Sequence, residues 1–310
     1  MEKVVVVGGS GFMGSHTADL LSQEGYKVTI YDKYPSPWLR DDQEMIIGDI
    51  LDRDAVHNAL NGARIVYHYA GIADIGEAAT SPYDTINFNV MGTTVVLDAA
   101  VKAGADRFVY ASSMYVYSPY GSLYRASKQA AETVIEAYCE KFGLDYTLLR
   151  YGSLYGPRAQ QWNGLKRFVS QVVKEGKLEH FGSGKERREY IHVLDAARLS
   201  LVVLDEEHKN SAITVTGSQV LNSAELISMI FEIVGCEENV SFAKIEDNND
   251  HYVMTPYRYT PMKAKKLVPK EFVDVGQGIL EIVEEVHQEL EKINSRLPKG
   301  LPFNNYEGDW

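Results

Sequence analysis

The sequence predicts an α/β protein with a doubly wound parallel sheet and a smaller α/β lobe. Three observations lead to this prediction. Short β-branched segments alternate with helical segments through the first half of the chain, and such alternation requires a parallel sheet covered by helices on both faces. A glycine-rich turn joins the first predicted strand to the first predicted helix. The alternation stops after residue 156, where short helices and strands follow in irregular order.

The elements of the sheet follow one another in a regular order. Apolar segments predict strands at 3–7, 27–31, 44–47, 64–69, 107–111 and 146–150. Helices are predicted near 14–24, 52–60, 82–104 and 122–142. A further apolar strand at 212–216 is expected in the same sheet. The right-handed crossover rule then makes the sheet doubly wound.

The irregular part of the chain predicts a lobe over the carboxyl edge of the sheet. An apolar stripe at helical spacing is expected to pack on this lobe, formed by Ile279, Ile282, Val283, Val286, Leu290 and Ile293. We assign residues 1–156 and about 193–217 to the sheet domain, about 157–192 and 218–293 to the lobe, and 294–310 to a polar tail.

The bulk composition excludes several classes of protein. The net charge of −12 argues against a nucleic-acid or anionic-membrane surface. The chain has no apolar stretch of about 20 residues, so no membrane span is predicted. The first strand begins at once, which leaves no room for a signal peptide. Cys139 and Cys236 lack metal or redox spacing and the histidines show no ligand pattern, so we expect buried thiols, no metal and a cytoplasmic location.

The glycine turn predicts a dinucleotide site. Gly8, Gly11 and Gly14 follow the Val4–Val7 strand at three-residue spacing, a geometry that lets a pyrophosphate reach free N–H groups at a helix N-terminus. The next strand ends in Asp32, whose carboxylate suits a ribose diol. This carboxylate repels a 2′-phosphate, which favours NAD over NADP, although the adjacent Lys33 weakens that preference. The alternative is a glycine turn that only packs a βαβ unit.

A second constellation predicts proton-transfer chemistry. Tyr124 and Lys128 stand four residues apart on a predicted helix and therefore share one face. A neighbouring cation is expected to lower the pKa of the phenol from its usual value near 10. Ser113 follows the strand at 107–111, at the edge where α/β sheets bind ligands. The alternatives are a chance pair on an exposed helix turn and a serine that caps a loop.

Together these motifs resemble the extended short-chain dehydrogenases/reductases, the nucleotide-sugar epimerase/dehydratase family, over nearly the whole chain. Further motifs at family spacing are Gly48–Ile50, His68–Gly71, Asn89–Thr93, Ser112-Ser113, Leu149–Pro157 and Arg188–Val193. The resemblance implies a Rossmann domain that binds NAD and a lobe that binds substrate. It also implies a homodimer, because the helices at 82–104 and 122–142 resemble the pair that forms a four-helix interface in relatives.

The resemblance implies roles for individual residues. Ser113, Tyr124 and Lys128 would be catalytic. The NAD site would comprise Gly8, Gly11, Phe12, Met13, Gly14, Asp32, Lys33, Asp49, Ile50, Ala70, Gly71, Asn89, Tyr124, Lys128 and Tyr151. Within this set, Asp49 and Ile50 would flank the adenine, and Tyr151 would border the nicotinamide.

On the substrate side, the basic cluster Lys185–Arg188 is either a solvated turn or an anion site. The resemblance implies that Arg188 grips the substrate diphosphate and that Trp162 and Asn163 enclose the nucleotide base; Trp162 is alternatively a core anchor. Two departures from the family pattern concern the substrate. Ser153 stands where asparagine is usual, and a late arginine has no counterpart in register, Arg258 being near but displaced.

The reaction type is narrowed by two positions after Ser113. Dehydratases of the family usually carry an Asp-Glu pair there and decarboxylases a glutamate, whereas this chain has Met114 and Tyr115. With dehydration and decarboxylation disfavoured, the remaining reaction is reversible oxidation of a secondary alcohol. We therefore predict an NAD-dependent nucleotide-diphosphate-sugar 4-epimerase that acts through a transient 4-keto sugar. The alternatives are a net 4-dehydrogenase or ketoreductase with the same residues, and a non-catalytic NAD-binding regulator.

Overall fold

The computed structural model describes residues 1–243, 251–257 and 264–296. Arg258 lies outside the described residues, as does the predicted tail from residue 297 onward. Residues 294–296, which the sequence assigned to that tail, form the end of the last helix.

The strands are β1 Lys3–Val7, β2 Lys27–Asp32, β3 Gln43–Ile47, β4 Ile65–His68, β5 Arg107–Ser113, β6 Asp145–Tyr151, β7 Ser153–Tyr155, β8 Leu178–Phe181, β9 Arg187–His192, β10 Ser211–Val215, β11 Val220–Asn222, β12 Val240–Ala243 and β13 Lys265–Lys266. The helices are α1 Phe12–Gln23, α2 Arg53–Leu60, α3 Ile75–Thr80, α4 Pro82–Ile86, α5 Thr93–Ala103, α6 Ser122–Phe142, α7 Gly164–Glu175, α8 Val193–Val202, α9 Ser223–Val234 and α10 Val275–Arg296. Short 3-10 turns occupy Met114–Tyr117 and Glu206–His208.

Eight parallel strands form the central sheet, in the order β3-β2-β1-β4-β5-β6-β10-β13. This confirms the predicted doubly wound α/β fold, including the strand at 212–216, which pairs with β6. The order reverses at β1, which lies between β2 and β4. Ligands bind at the carboxyl edge of such a switch point. The edge strand β13 was not predicted, because two lysines carry no strand signal.

The uninterrupted valines of β1 reflect burial on both faces of the sheet. Val4 and Val6 belong to one core cluster, which also contains residues of α1 and α8. Val5 and Val7 belong to the other, with residues of α2, α5 and α6. All four side chains are fully buried, as expected for a strand between two helical layers. Cys139 lies in the second cluster, whereas Cys236 is only half-buried and so departs from the prediction.

The helix predicted at 82–104 is not uniform. Between α4 and α5, residues Asn87–Gly92 adopt a π-helical turn. Such turns insert one extra residue and occur often at functional sites. This turn carries Asn89, whose side chain is buried against the loop that follows β4.

Outside the sheet, α7, α9 and α10 share a third apolar cluster. The stripe of α10 packs into it as predicted through Ile279, Ile282 and Val286, but Ile293 is exposed and lies outside it. The buried Lys166 of α7 donates to Glu285 and Glu289 of α10, at 2.6 and 2.9 Å. Among the residues described, no helix has the length and apolar character required to cross a bilayer.

Candidate active site

A cleft of about 690 Å³ runs along the carboxyl edge of the sheet and extends beneath α7 and β9. All the site residues predicted from the sequence line it except Asn89. The structure thus brings together side chains that are up to 180 positions apart, from Gly8 to Arg188.

The three glycines of the β1–α1 turn are needed for different reasons. A Cβ on Gly8 would lie 2.4 Å from the Ala70 nitrogen, and one on Gly14 would lie 2.2 Å from the Gly8 carbonyl oxygen. Both positions therefore allow the turn to pack against its own fold. A Cβ on Gly11 would meet only the Gly8 oxygen, at 3.4 Å. Packing does not require glycine there, which leaves close approach of a ligand as the reason.

The N-terminus of α1 suits an anion. Gly11 precedes the helix, and no side chain caps this end. The first N–H groups of a helix lack partners within the helix and carry a partial positive charge. They open onto the cleft at Phe12, Met13 and Gly14. The turn therefore fits the pyrophosphate of NAD.

The end of the cleft that we expect to hold the adenosine is formed by residues at the ends of β2 and β3 and just after them. The Asp32 carboxylate accepts the N–H groups of Ser10 and Tyr34 at 3.0 and 3.1 Å, which fixes it beside the glycine turn. Lys33 pairs with Asp49 at 3.8 Å rather than with Asp32. The negative charge of Asp32 is thus available to a ribose diol. Because Lys33 does not pair with Asp32, it weakens the predicted preference for NAD over NADP less than the sequence suggested.

The predicted catalytic residues meet at the carboxyl end of β5. Lys128 donates to the Ala111 carbonyl at 2.8 Å, and its Nζ lies 5.9 Å from the centre of the Tyr124 ring. The Ser113 hydroxyl lies near the Tyr124 phenol and favours its charged form. Tyr124 and Lys128 are both buried and both line the cleft.

The electrostatics of this group differ from the expectation in one respect. Burial raises the pKa of Tyr124 to about 12, and the hydrogen bond from Ser113 opposes the rise only in part. The predicted lowering by Lys128 is therefore wrong for the protein by itself, because the loss of water around the buried phenol is the largest cause of the shift. Burial lowers the pKa of Lys128 to about 8, opposed by the charge of Glu132.

Glu132 lies on α6 one helical turn after Lys128, on the face that carries Tyr124 and Lys128. Its carboxylate accepts the Ser112 hydroxyl at 2.5 Å and pairs with Arg150 of β6 at 2.6 Å. Arg150 in turn donates to the Tyr117 hydroxyl. These contacts join the strand end, the loop after Ser113 and the catalytic helix.

Asn89 lies behind the cleft wall. Its amide oxygen accepts the Ile72 N–H at 2.7 Å, and its nitrogen donates to the Ile72 carbonyl at 3.0 Å and to the Ser127 hydroxyl at 2.9 Å. A Cβ on Gly71 would lie 2.5 Å from the same amide oxygen. Asn89 therefore holds the Gly71–Ile72 loop against α6 instead of facing the cleft.

At the end of the cleft that we expect to hold the substrate, the residues of the basic cluster Lys185–Arg188 differ in their exposure. Lys185 and Arg187 are exposed, as a solvated turn requires, whereas Arg188 is half-buried and lines the cleft. Trp162 is largely exposed at the rim, which argues against a core anchor. Asn163 lines the cleft but uses its side chain to cap α7, accepting the Lys166 N–H at 3.2 Å and donating to the Leu154 carbonyl at 2.9 Å.

Sequence reasoning missed several residues that line the cleft here. His251, Tyr252, Arg167, Phe168, His180 and Glu186 all border its substrate end. Tyr115 was noted only for what it replaces, yet its hydroxyl lies 2.8 Å from His251 Nδ1 and its ring lies 4.5 Å from that of Tyr252. Lone aromatic residues in an irregular segment give no local signal that could have revealed them.

Comparison with known proteins places this geometry in a family. The model of the NAD dependent epimerase/dehydratase family matches residues 4–216. A putative UDP-glucose 4-epimerase of Methanocaldococcus jannaschii is 25% identical, over 90% of this chain and 97% of its own. A UDP-glucuronic acid decarboxylase of Xenopus tropicalis is 27% identical, over 99% of this chain and 78% of its own.

Solved structures share the fold. UDP-glucose 4-epimerase of Thermotoga maritima, determined with UDP-glucose, aligns with a TM-score of 0.81 at 23% identity, covering 93% of this chain and 99% of its own. UDP-glucuronic acid 4-epimerase of Bacillus cereus, in complex with UDP-glucuronic acid and NAD, aligns with a TM-score of 0.79 at 22% identity and the same coverage.

Proposed function

Because the chain belongs to the NAD dependent epimerase/dehydratase family, we propose that it is a nucleotide-diphosphate-sugar 4-epimerase. It is an NAD-dependent enzyme of the extended short-chain dehydrogenase type. The relatives of this family include epimerases, decarboxylases and dehydratases. The choice among these reactions therefore depends on the residues around Ser113.

One observation carries the proposal: the stretch from Ser113 to Lys128 contains no carboxylate. Met114 is fully buried, and Tyr115 presents a phenol to the cleft where an acid would be needed to expel a hydroxyl group. Elimination requires a group that protonates the leaving oxygen. Ser113, Tyr124 and Lys128 suffice for a reaction in which only a hydride and a proton move at C4.

Tyr124 takes the proton of the C4 hydroxyl, with Ser113 hydrogen-bonded to both oxygens. Bound NAD supplies the chemistry of accepting a hydride and returning it. Lys128 is held by the Ala111 carbonyl, 2.8 Å away, beside the Tyr124 ring. With the positive nicotinamide of bound NAD also present, its charge would favour the phenolate of Tyr124. Arg188 retains the diphosphate while the 4-keto sugar turns its other face, a positioning role that suits a guanidinium.

Product analysis on UDP-, GDP-, CDP- and dTDP-sugars tests this proposal, with the absorbance of reduced nicotinamide recorded in parallel. We expect NAD to copurify with the protein, the C4 epimer to form, and no reduced cofactor to accumulate. A released 4-keto sugar with stoichiometric NADH would instead identify a net 4-dehydrogenase. Absence of turnover on every sugar nucleotide would identify a non-catalytic NAD-binding regulator.

We further propose a cytoplasmic homodimer that forms a four-helix bundle. The segment from α4 into the π-helical turn packs against α6, and large apolar side chains remain exposed along it at Tyr83, Ile86 and Met91. Light scattering should give a mass near twice 34.7 kDa. Met91→Lys should reduce it to that of a monomer; a monomeric wild type would contradict the proposal.

A further inference from the structure

The segment at 251–257 is attached to the strand that carries Arg188. The Arg187 N–H donates to the Val253 carbonyl at 2.7 Å, and the Thr255 N–H donates to the Arg187 carbonyl at 3.2 Å. The Glu189 N–H donates to the Thr255 hydroxyl at 3.0 Å. Both neighbours of Arg188 in β9 are thus bonded to this segment, which fixes the backbone of Tyr252 beside the cleft.

Tyr252 joins the substrate end of the cleft to its catalytic end. Its ring is buried, with only 4% of the residue exposed, and lies 4.5 Å from the ring of Tyr115. Tyr115 in turn packs edge-on against Tyr124, with ring centres 5.8 Å apart. The Tyr252 hydroxyl lies 3.4 Å from the Ser153 hydroxyl.

The ring of Tyr252 also contacts Arg188. The guanidinium carbon of Arg188 lies 4.8 Å from the ring centre of Tyr252, within the range of a cation–π contact. In the described part of the chain, no carboxylate lies within 4.0 Å of this guanidinium. Arg188 is therefore held by an aromatic ring, and among the described residues no acid pairs with its charge.

We infer that Tyr252 is a positioning residue, whose ring holds the Arg188 guanidinium in place for the substrate diphosphate. An arginine side chain has many rotamers, and restricting them in the unbound protein reduces the entropy lost on binding. The inference rests on the proposed function, because it requires Arg188 to bind a diphosphate. It assigns the support to the aromatic face of Tyr252 and not to its hydroxyl.

The test measures the Kd of the tightest-binding member of a set of UDP-, GDP-, CDP- and dTDP-glucose, and separately the Kd of NAD, by calorimetry. Tyr252→Leu should weaken sugar-nucleotide binding by up to about tenfold, the upper end of the entropy cost of ordering one long side chain on binding. Tyr252→Phe, which keeps the ring, should remain within about twofold of the wild type. The Kd of NAD should not change, and in turnover the KM should rise more than kcat falls.

Two further variants separate positioning from general structure. Tyr257→Leu alters the same segment at a residue whose hydroxyl contacts Glu189, and it should leave the Kd of the sugar nucleotide unchanged. In an Arg188→Met background, Tyr252→Leu should produce no further loss, because the ring then has no guanidinium to hold.

An equal loss from Tyr252→Leu with and without Arg188, or a matching loss of NAD affinity, would overturn the inference. So would a loss from Tyr252→Phe as large as that from Tyr252→Leu. If Arg188→Met alone left the Kd of the sugar nucleotide unchanged, or if the wild type bound none of the four ligands, the proposed function would fail, and the inference with it.

Discussion

Glu132 and Arg150 form a buried ion pair, 2.6 Å between Oε2 and the guanidinium, one helical turn beyond Lys128. The same carboxylate accepts the hydroxyl of Ser112, the residue before Ser113, which we propose to be catalytic. The pair therefore ties α6, which carries Tyr124 and Lys128, to the strands whose ends form the catalytic edge.

Glu132→Gln should lower the free energy of unfolding by about 3–5 kcal/mol, because it removes the carboxylate charge that pairs with the buried Arg150 guanidinium. Asp98→Asn is the control, since it breaks the surface pairs of Asp98 with Lys102 at 2.7 Å and with Arg53 at 3.6 Å, each of which should cost less than about 1 kcal/mol. Urea unfolding of both variants measures the difference. Equal losses of unfolding free energy in the two variants would show that the buried pair stabilises the fold no more than the surface pairs do.

Tyr124→Phe should reduce kcat by about 10²- to 10⁴-fold, the range for loss of a general acid–base group. The Kd of NAD should remain near that of the wild type, because the ring stays in place. Tyr120→Phe offers a control on a nearby exposed tyrosine outside the cleft lining. Activity of Tyr124→Phe within about tenfold of the wild type would remove the phenol from the reaction.

The glycine turn predicts different outcomes for two similar substitutions. Gly11→Ala places its methyl group 3.4 Å from the nearest atom outside its chain neighbours, so the protein should fold and yet bind NAD weakly. Gly14→Ala places a methyl group 2.2 Å from the Gly8 carbonyl oxygen and should destabilise the fold itself. Thermal unfolding and NAD titration distinguish the two cases. Unchanged NAD affinity in Gly11→Ala would contradict the assigned role of this residue.

Lys128 makes the stability of the cofactor-free protein depend on pH. Its pKa falls from 10.5 to about 8 on burial, so between these values the folded state holds fewer protons than the unfolded state. Stability then rises with pH, since the cost of the buried charge is complete below about pH 8 and is relieved above. The unfolding free energy of the wild type, minus that of Lys128→Met, should become more positive by up to about 3 kcal/mol between about pH 7 and 10.5. A difference that does not vary with pH would contradict the lowered pKa.

The parts of the site that the sequence predicted are encoded locally. The glycine turn and the Tyr124–Lys128 spacing are each contained within one turn or helix, so their geometry follows from the chain itself. Asp32 follows from its place at the end of β2. These features predict where the cofactor binds and which edge of the sheet is catalytic without knowledge of tertiary contacts.

The parts that the sequence did not predict depend on distant contacts. Asn89 sits on a π-helical turn that no residue pattern indicates, and its partners are in another loop and another helix. Tyr252 reaches the cleft only because its segment bonds to β9. The pKa of Tyr124 rises because the phenol is buried, and spacing along a helix cannot give the depth of burial.

In a 4-epimerase, the hydride taken from C4 returns to the same sugar. This can be followed with a sugar nucleotide deuterated at C4, incubated with the enzyme and analysed by NMR and mass spectrometry. We expect a mixture of both C4 epimers that retains the deuterium at C4, with none in free nicotinamide. Release of a 4-keto sugar with the deuterium in NADH would contradict it and identify a net dehydrogenase.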